Sequence, residues 1–347
     1  MSRIRKGLIA VATLVAVTMA TSQQTTASSS WSFTDDSTNL GLTGVSPHVE
    51  RTGSVDRLWY SGGPGGTAVA DCTSSGSCTA VAANWGSPIN DVTFATFGGV
   101  KRAYFKKMDP MSGTQAVYSA PCLTADCVSI GAATLTSEQM KVSSSVRAWG
   151  VPDAVELPGG AGIRIYIVES PTMSSSCPEK VASYTSTDGV SFVKDAGYRF
   201  SKDGYVDTEI LRATTGSWLM IMADGPGCGN TQELYMSDST DGLTWSNPVA
   251  ITGSDKSRLD PTGYETSPGS NVFKVYFATS GGRQDMNFTI GSGTLKVAAA
   301  SSSATATAKA KAGAACTKAG AKASVTIAKK KTTLTCKMVK KKLVWSK

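Results

Sequence analysis

The chain has 347 residues, 35 of them glycine, a single histidine and a formal net charge of +8. One histidine excludes multi-histidine metal centres and forces any Ser-His-Asp or Cys-His arrangement through His48, so general acid–base chemistry falls to carboxylates. The charge is uneven: setting aside the twelve lysines after residue 308 and three basic residues near the N-terminus takes the total from +8 to −7 for the central body, which argues against nucleic acid as its partner.

At the N-terminus Arg3, Arg5 and Lys6 precede an uncharged, mostly apolar stretch from Gly7 to Ala20. Thr18-Met19-Ala20 offers a small-x-small cleavage site, with Thr25-Thr26-Ala27 as a second choice. The stretch is shorter than the roughly 20 residues that span a bilayer, which favours a secretory signal over residues 1–20 rather than a membrane anchor. The mature protein is then expected to be secreted, extracellular or held at the cell surface. Eight cysteines agree with export. Three couples are local in sequence (Cys72 with Cys78, Cys122 with Cys127, Cys316 with Cys336) and leave Cys177 with Cys228, a preference among the 105 connectivities that eight allow. C-x-x-C pairs and histidine partners are both missing, so no metal and no cofactor are expected.

From about residue 31, bursts of Val, Thr, Tyr and Ile alternate with Gly, Pro, Asp and Ser clusters, and no long stretch keeps a helical apolar period; the pattern predicts many short strands. Residues 31–44 are a candidate closing strand. Two weak units come first: HVERTG followed by DRLWYSGG, and DVTFATFGG followed by VKRAYF. His48 follows Pro47 at a strand start, where a structural role is favoured over a catalytic one. Three clearer units begin VPDAVELPGG (151–160), YVDTEILRATTG (205–216) and RLDPTGYETSPG (258–269), and each leads through a turn into a strand: IRIYIVES, SWLMIMAD and VFKVYFAT. Their aspartates, Asp153, Asp207 and Asp260, keep a spacing of about 53 residues. Ser186-Thr187-Asp188-Gly189-Val190-Ser191-Phe192 recurs as Ser239-Thr240-Asp241-Gly242-Leu243-Thr244-Trp245. Asp there bonds local amides, Gly takes positive φ and the aromatic packs beneath, which makes the element structural. The landmarks predict five units, roughly 45–85, 86–145, 146–202, 203–255 and 256–298, arranged as an all-β five-bladed propeller over 31–298. The aromatic residues on second strands (Trp59, Tyr60, Tyr104, Tyr166, Trp218, Tyr276) are expected mostly as core between blades.

The series PDAVELPGG…IRIYIVES…STDGVSF and VDTEI…SWLMIMAD…STDGLTW resembles the five-bladed propeller glycosidases of the arabinanase/levansucrase/invertase superfamily. The S-x-D-G-x-[ST]-[FW] element is also similar to the Asp-box of the six-bladed sialidases, but it is one residue shorter and no Arg-Ile-Pro motif precedes it. The resemblance is clear over 147–298, weak over 45–146 and absent beyond 300. It implies three carboxylates lining a central funnel, as base or nucleophile, pKa-setting neighbour and acid. Transferred to this chain, it makes Glu209 the candidate general acid and Asp91 or Asp153 the candidate base or modulator, with Asp207 and Asp260 completing the set. Asp207 and Glu209, two apart in one strand, are expected to face the same side. Asp153 is taken as the equivalent of Asp207 and Asp260, and Asp91 holds the matching place in the second unit. One departure stands out: where the first blade of the family supplies its base, this sequence reads VSPHVERTG, with Ser46, Pro47 or His48 in place of the acid and Glu50 nearby.

Residues 299–314 (AASSSATATAKAKAGA) form a low-complexity linker. The remainder, 315–347, carries ASVTIA, TTLTC and KLVW between lysine clusters, a small β module that a Cys316–Cys336 bridge would staple. The tail resembles the Lys-rich Cys…Cys…Trp modules that end secreted actinobacterial proteins, and suggests retention on an anionic cell-wall polymer. The chain as a whole is expected to be a monomeric, carbohydrate-active propeller with a polysaccharide or glycan partner. Hydrolysis of glycosidic bonds is the first reading, a non-catalytic propeller that binds glycan or cell-surface polymer the second, and a structural envelope protein with an apolar plug in its funnel the third.

Overall fold

The computed structural model describes residues 30–298, apart from short gaps at 37–38, 63–65, 109–110, 112, 143–146, 149, 171–176, 230 and 283–284, together with 322–327, 330–339 and 342–346. No α-helix occurs among them. The expected signal (1–20), the linker (299–314) and Cys316 lie outside the described residues.

Residues 28–301 form one compact unit. After β1 (Ser30–Asp35), blade 1 runs through β2 (Val45–Thr52), β3 (Val55–Ser61), β4 (Thr67–Cys72) and β5 (Cys78–Val81). Blade 2 is β6 (Asn90–Phe97), β7 (Val100–Met108), β8 (Gln115–Pro121) and β9 (Thr134–Leu135). A short β10 (Arg147–Ala148) joins the edge of blade 3, which comprises β11 (Asp153–Glu156), β12 (Ile163–Ser170), β13 (Lys180–Ser186) and β14 (Val193–Lys194). Blade 4 is β15 (Tyr205–Arg212), β16 (Trp218–Asp224), β17 (Leu234–Ser239) and β18 (Val249–Ala250). Blade 5 is β19 (Ser257–Glu265), β20 (Val272–Ser280) and β21 (Thr289–Ala298), completed on its outside by β1, which pairs from Ser30↔Ala298 to Asp35↔Gly293. The ring is thus closed by a strand from the other end of the propeller, which covers an edge that would otherwise offer unpaired amides. This is the five-bladed propeller that the repeat predicts.

A four-stranded meander buries its faces only against its neighbours, and the core follows that rule. Its buried apolar residues fall into clusters at the five blade junctions, such as Val155, Tyr166, Met220 and Met222 between blades 3 and 4. The Asp turns join the third and fourth strands of blades 3 and 4. Asp188 accepts the amides of Val190 at 2.7 Å and Ser191 at 2.8 Å, and the hydroxyl of Ser186 at 2.8 Å. Gly189 and Gly242 take positive φ. The preceding blade is fastened to each turn by a second-strand tyrosine: Tyr104 donates to the Gly189 carbonyl at 2.8 Å and Tyr166 to that of Gly242 at 2.6 Å. Bridges Cys72–Cys78, Cys122–Cys127 and Cys177–Cys228 are formed as the spacing suggests.

The C-terminal sheet belongs to a second unit. It is a meander of β22 (Lys322–Ile327), β23 (Lys330–Val339) and β24 (Lys342–Ser346). Cys336 is disulfide-bonded and buried beside Leu334.

The Ser191 and Val190 amides hold the Asp188 carboxyl down at about 2. Its contribution to stability is therefore full above the unfolded value of about 3.9 and is lost as the pH falls from about 4 to 2. Solvent screening at this exposed turn keeps the contribution modest, and Asp188→Ala is expected to cost about 1 kcal/mol at pH 7. Thermal melts of the two proteins at pH 7 and pH 2.5 check this: the difference should shrink at the lower pH.

Candidate functional site

The inner strands β2, β6, β15 and β19 share one irregularity near their starts. Each ladder skips a pair of residues: between Val45 and His48, Asn90 and Thr93, Val206 and Glu209, and Leu259 and Thr262. The first residue of each bulge, Ser46, Asp91, Asp207 or Asp260, has φ between 50° and 54°. Asp enters this left-handed region more readily than most residues. In blades 1 and 5 the second residue is Pro47 or Pro261, tolerated because a bulge spares it the ladder hydrogen bond.

Three aspartates therefore meet at one level of the axis. Asp207 and Asp260 are hydrogen-bonded to each other, and both are raised, first by burial. The Asp207 carboxyl is pushed well up by the charges of Asp260 and Asp91 in addition, so it carries the shared proton. Asp260 Oδ2 also accepts the Ser46 amide at 2.8 Å. Asp91 is held by Lys106 Nζ at 2.9 Å and by the Ser61 hydroxyl at 3.1 Å. In blade 1 this level carries Ser46, and no acid.

In blade 3 the inner edge breaks between β10 and β11, where Ala148 pairs with Glu169 and the next pair is Asp153 with Tyr166, and this corrects the register read from the repeat. Asp153 pairs directly with Tyr166, as Thr93 pairs with Tyr104, Glu209 with Ile221 and Thr262 with Tyr276. Asp153 is thus the counterpart of Glu209, one level beyond the bulge, and not of Asp207 and Asp260. The missed signal is proline: Pro47, Pro152 and Pro261 each stand one residue before this level, so aligning prolines rather than aspartates recovers the observed register. The bulge also sends Asp207 and Glu209, expected on one side, to different partners.

At this second level a side-chain oxygen of one blade accepts an inner-edge amide of the next. Thr93 Oγ1 takes the Ala154 amide at 3.2 Å, Asp153 Oδ2 that of Ile210 at 2.8 Å, Glu209 that of Gly263, and Thr262 Oγ1 that of Val49 at 3.2 Å. Thr262 Oγ1 donates in turn to Glu209 Oε1 at 2.9 Å. The fifth position is His48, which sequence analysis set aside as structural; its ring lies edge-on to Phe94 with centroids 5.4 Å apart.

This level opens into a depression of about 680 Å³ whose lining includes His48, Phe94, Asp153, Glu156, Glu209 and Arg212. Glu209 and Asp153 are hydrogen-bonded there. Burial raises both. The Asp153 charge pushes Glu209 further up, while the Ile210 amide and its neighbours favour the ionised form of Asp153. Glu209 is therefore the protonated partner. His48 Nδ1 lies 3.9 Å from Glu209 Oε1, yet burial and then the Lys101 charge hold the imidazole at about 3, so the contact joins two neutral groups. Arg212 lies over the Trp218 ring at 4.1 Å and donates to the Glu156 carbonyl. All five acids singled out in the sequence thus reach the axis, in two groups: Asp91, Asp207 and Asp260 at the bulge level, Asp153 and Glu209 at the depression.

No protein-family profile matches the chain, and no curated protein does. Solved structures do. A thermostable family-43 glycoside hydrolase is similar at a TM-score of 0.52 and 13% identity, over 76% of this chain and 91% of that one. An α-L-arabinofuranosidase from Podospora anserina, solved with cellotriose, gives 0.53 at 8% identity over 77% and 96%. A GH43 endo-arabinanase from Bacillus licheniformis gives 0.50 at 10% identity over 75% and 95%. At these identities the likeness establishes the fold.

Because the folded pKa of Asp207 and Glu209 lies above the unfolded value of about 4, the folded state holds extra protons and stability falls as pH rises from there. An amide keeps the geometry: a glutamine at 209 still accepts from Thr262 and Gly263 and donates to Asp153. Glu209→Gln and Asp207→Asn are each expected to gain about 1–2 kcal/mol over the parent at pH 8 and nothing at pH 4. Glu209→Ala, which strands three partners, should lose stability at both. Melts across pH 4–8 decide; a Glu209→Gln difference that does not vary with pH removes the shared-proton assignment.

Proposed function

We propose that this protein is an exported propeller that binds glycan in the depression above Glu209 and Asp153 and does not hydrolyse it. The observation that carries the reading is the pairing of the axial acids. Glycosidic hydrolysis takes two carboxyl groups about 5–5.5 Å apart, or about 6.5–9.5 Å when a water stands between them. Here Glu209 with Asp153 and Asp207 with Asp260 are in hydrogen-bond contact. Asp91 is engaged by Lys106, and blade 1 offers Ser46 at the place of the family's base. The depression retains groups suited to a sugar: the aromatic ring of Phe94, the Arg212 guanidinium and the Glu156 carboxylate. The fold it shares with glycoside hydrolases, one of them solved with cellotriose, points the same way. Export is supported by the basic and apolar N-terminal pattern and by the three disulfides of the body. In this reading the protein works as a monomer, retained by its lysine-rich tail on an anionic cell-surface polymer.

One observation favours hydrolysis instead. Glu209 keeps its proton at the floor of an open depression, as a general acid must. The purified mature protein should be tested against immobilised plant and microbial polysaccharides for binding, and against the same polymers and aryl-glycosides for sugar release. Binding without release is expected, weakened about tenfold by Phe94→Ala or Arg212→Ala and little changed by Glu209→Gln. Release that disappears in Glu209→Gln would establish the enzyme, and a folded protein that binds no glycan would end both readings.

A further inference from the structure

A second groove lies between blades 3 and 4, and none of its lining residues belongs to the axial depression. Beyond β14 the chain keeps to the edge of blade 3: the Asp195 amide donates to the Ser183 carbonyl at 2.9 Å and the Arg199 amide to that of Val181 at 2.8 Å. Between those two bonds Ala196, Gly197 and Tyr198 stand exposed, with Gly197 at φ 70°. The carbonyls of Ala196 and Gly197 are turned onto the Arg199 guanidinium and accept from it at 2.7 and 3.0 Å. A third bond crosses to the Asp turn of blade 4, from Arg199 Nη1 to the Leu243 carbonyl at 3.1 Å. The groove walled in this way has a volume of about 560 Å³, and Tyr198, Phe200 and Trp245 line it.

Arg199 is the unanswered charge of this groove. It is only 4% exposed, and its three bonds all go to main-chain carbonyls. Its Nε finds no acceptor among the described residues, and no carboxylate among them makes an ion pair with it. Asp195, the acid of the lining, is taken by Arg164 at 3.2 Å and by the hydroxyls of Ser183 and Thr185. Lys180 and Lys194, which flank the exposed Tyr198 ring, are paired with Asp203 and Glu169. Burial pushes the Arg199 guanidinium below its ordinary range, with Asp195 opposing the shift. A buried guanidinium gains most from a planar anion with two oxygens, and aromatic side chains beside it suit the flat faces of a sugar ring. We infer that this groove binds a carboxylated sugar, a uronate unit of an acidic polysaccharide, with its carboxylate at the Arg199 guanidinium and its ring against Tyr198 and Trp245. The groove is independent of the axial depression, so the failure of either reading leaves the other standing.

The test titrates the full mature chain calorimetrically with trigalacturonate, its methyl ester and triglutamate, at about 0.15 M salt so that contacts of exposed lysines are screened. Trigalacturonate is expected to bind about tenfold more tightly than either of the others, since the ester lacks the charge and the peptide lacks the ring. Ser201 is exposed on the groove lining and is the place to install a competing anion. Ser201→Glu should weaken trigalacturonate by more than about tenfold, while Ser201→Gln, similar in size and uncharged, should lose less than about threefold. Tyr198→Ala should lose about threefold or more. Arg199→Gln should erase the preference for acid over ester; a melt checks its folding first, because it gives up bonds to three carbonyls, and the Ser201 pair decides if it does not fold. Equal affinity for acid and ester overturns the pairing with Arg199, and equal affinity for triglutamate overturns the sugar. Equal losses in the two Ser201 variants, or no loss in either, overturn the groove as the site.

Discussion

Everything at the axis of this propeller follows from the inner edges of its innermost strands. Each blade pairs its first strand with its second and leaves the other edge of the first strand facing the axis, where no further strand fits. Amides on that edge must find acceptors. For Val49, Ala154, Ile210 and Gly263 the acceptor is a side-chain oxygen from the preceding blade: Thr262, Thr93, Asp153 and Glu209. Neighbouring blades are stitched together by these side chains, and two of those four are acids.

That origin explains the electrostatics. A carboxylate is a strong acceptor, but several around one buried axis cannot all be ionised, since burial and mutual repulsion both favour the neutral form. The structure resolves the conflict by pairing. Glu209 is bonded to Asp153 and Asp207 to Asp260, with Glu209 and Asp207 pushed towards the neutral form, and Lys106 answers Asp91. Raised acids in a depression usually draw attention as catalytic groups. Here the same shifts arise from groups that hold neighbouring blades together, so perturbed acidity alone does not separate work on a substrate from work on the fold.

How much of this could be read beforehand depended on whether a feature was local. The Asp turns are local: Ser186–Phe192 and Ser239–Trp245 carry their own hydrogen-bond acceptor, their positive-φ glycine and their aromatic, so sequence alone places them. The short-range cysteine couples Cys72–Cys78 and Cys122–Cys127 are local too, and strands of period two between turn clusters suffice for the blade count. The closing strand was legible only as a spare segment before the first unit. The axis is not local. Whether an aspartate sits in a bulge or beyond it depends on the pairing of two strands, and a two-residue shift moved Asp153 from one level to the other without disturbing the 53-residue period. Cross-blade bonds such as Ile210 to Asp153 join residues 57 positions apart and leave no trace in periodicity. His48 and Ser46 gained meaning only once the levels were known.

Blade 1 shows how the two levels depend on each other. An acid at position 46 would put a fourth carboxyl beside Asp91, Asp207 and Asp260, with Lys106 as the cation already engaged there. Repulsion would then hold the axis acids apart or draw in a further proton or cation. With serine at that place, the Ser46 amide and hydroxyl approach Asp260 as donors, and the acids can close into contact. Serine in blade 1 and the contact of Asp207 with Asp260 are therefore one feature seen from two sides. With the acids in contact, the side chains along the axis serve to hold neighbouring blades together.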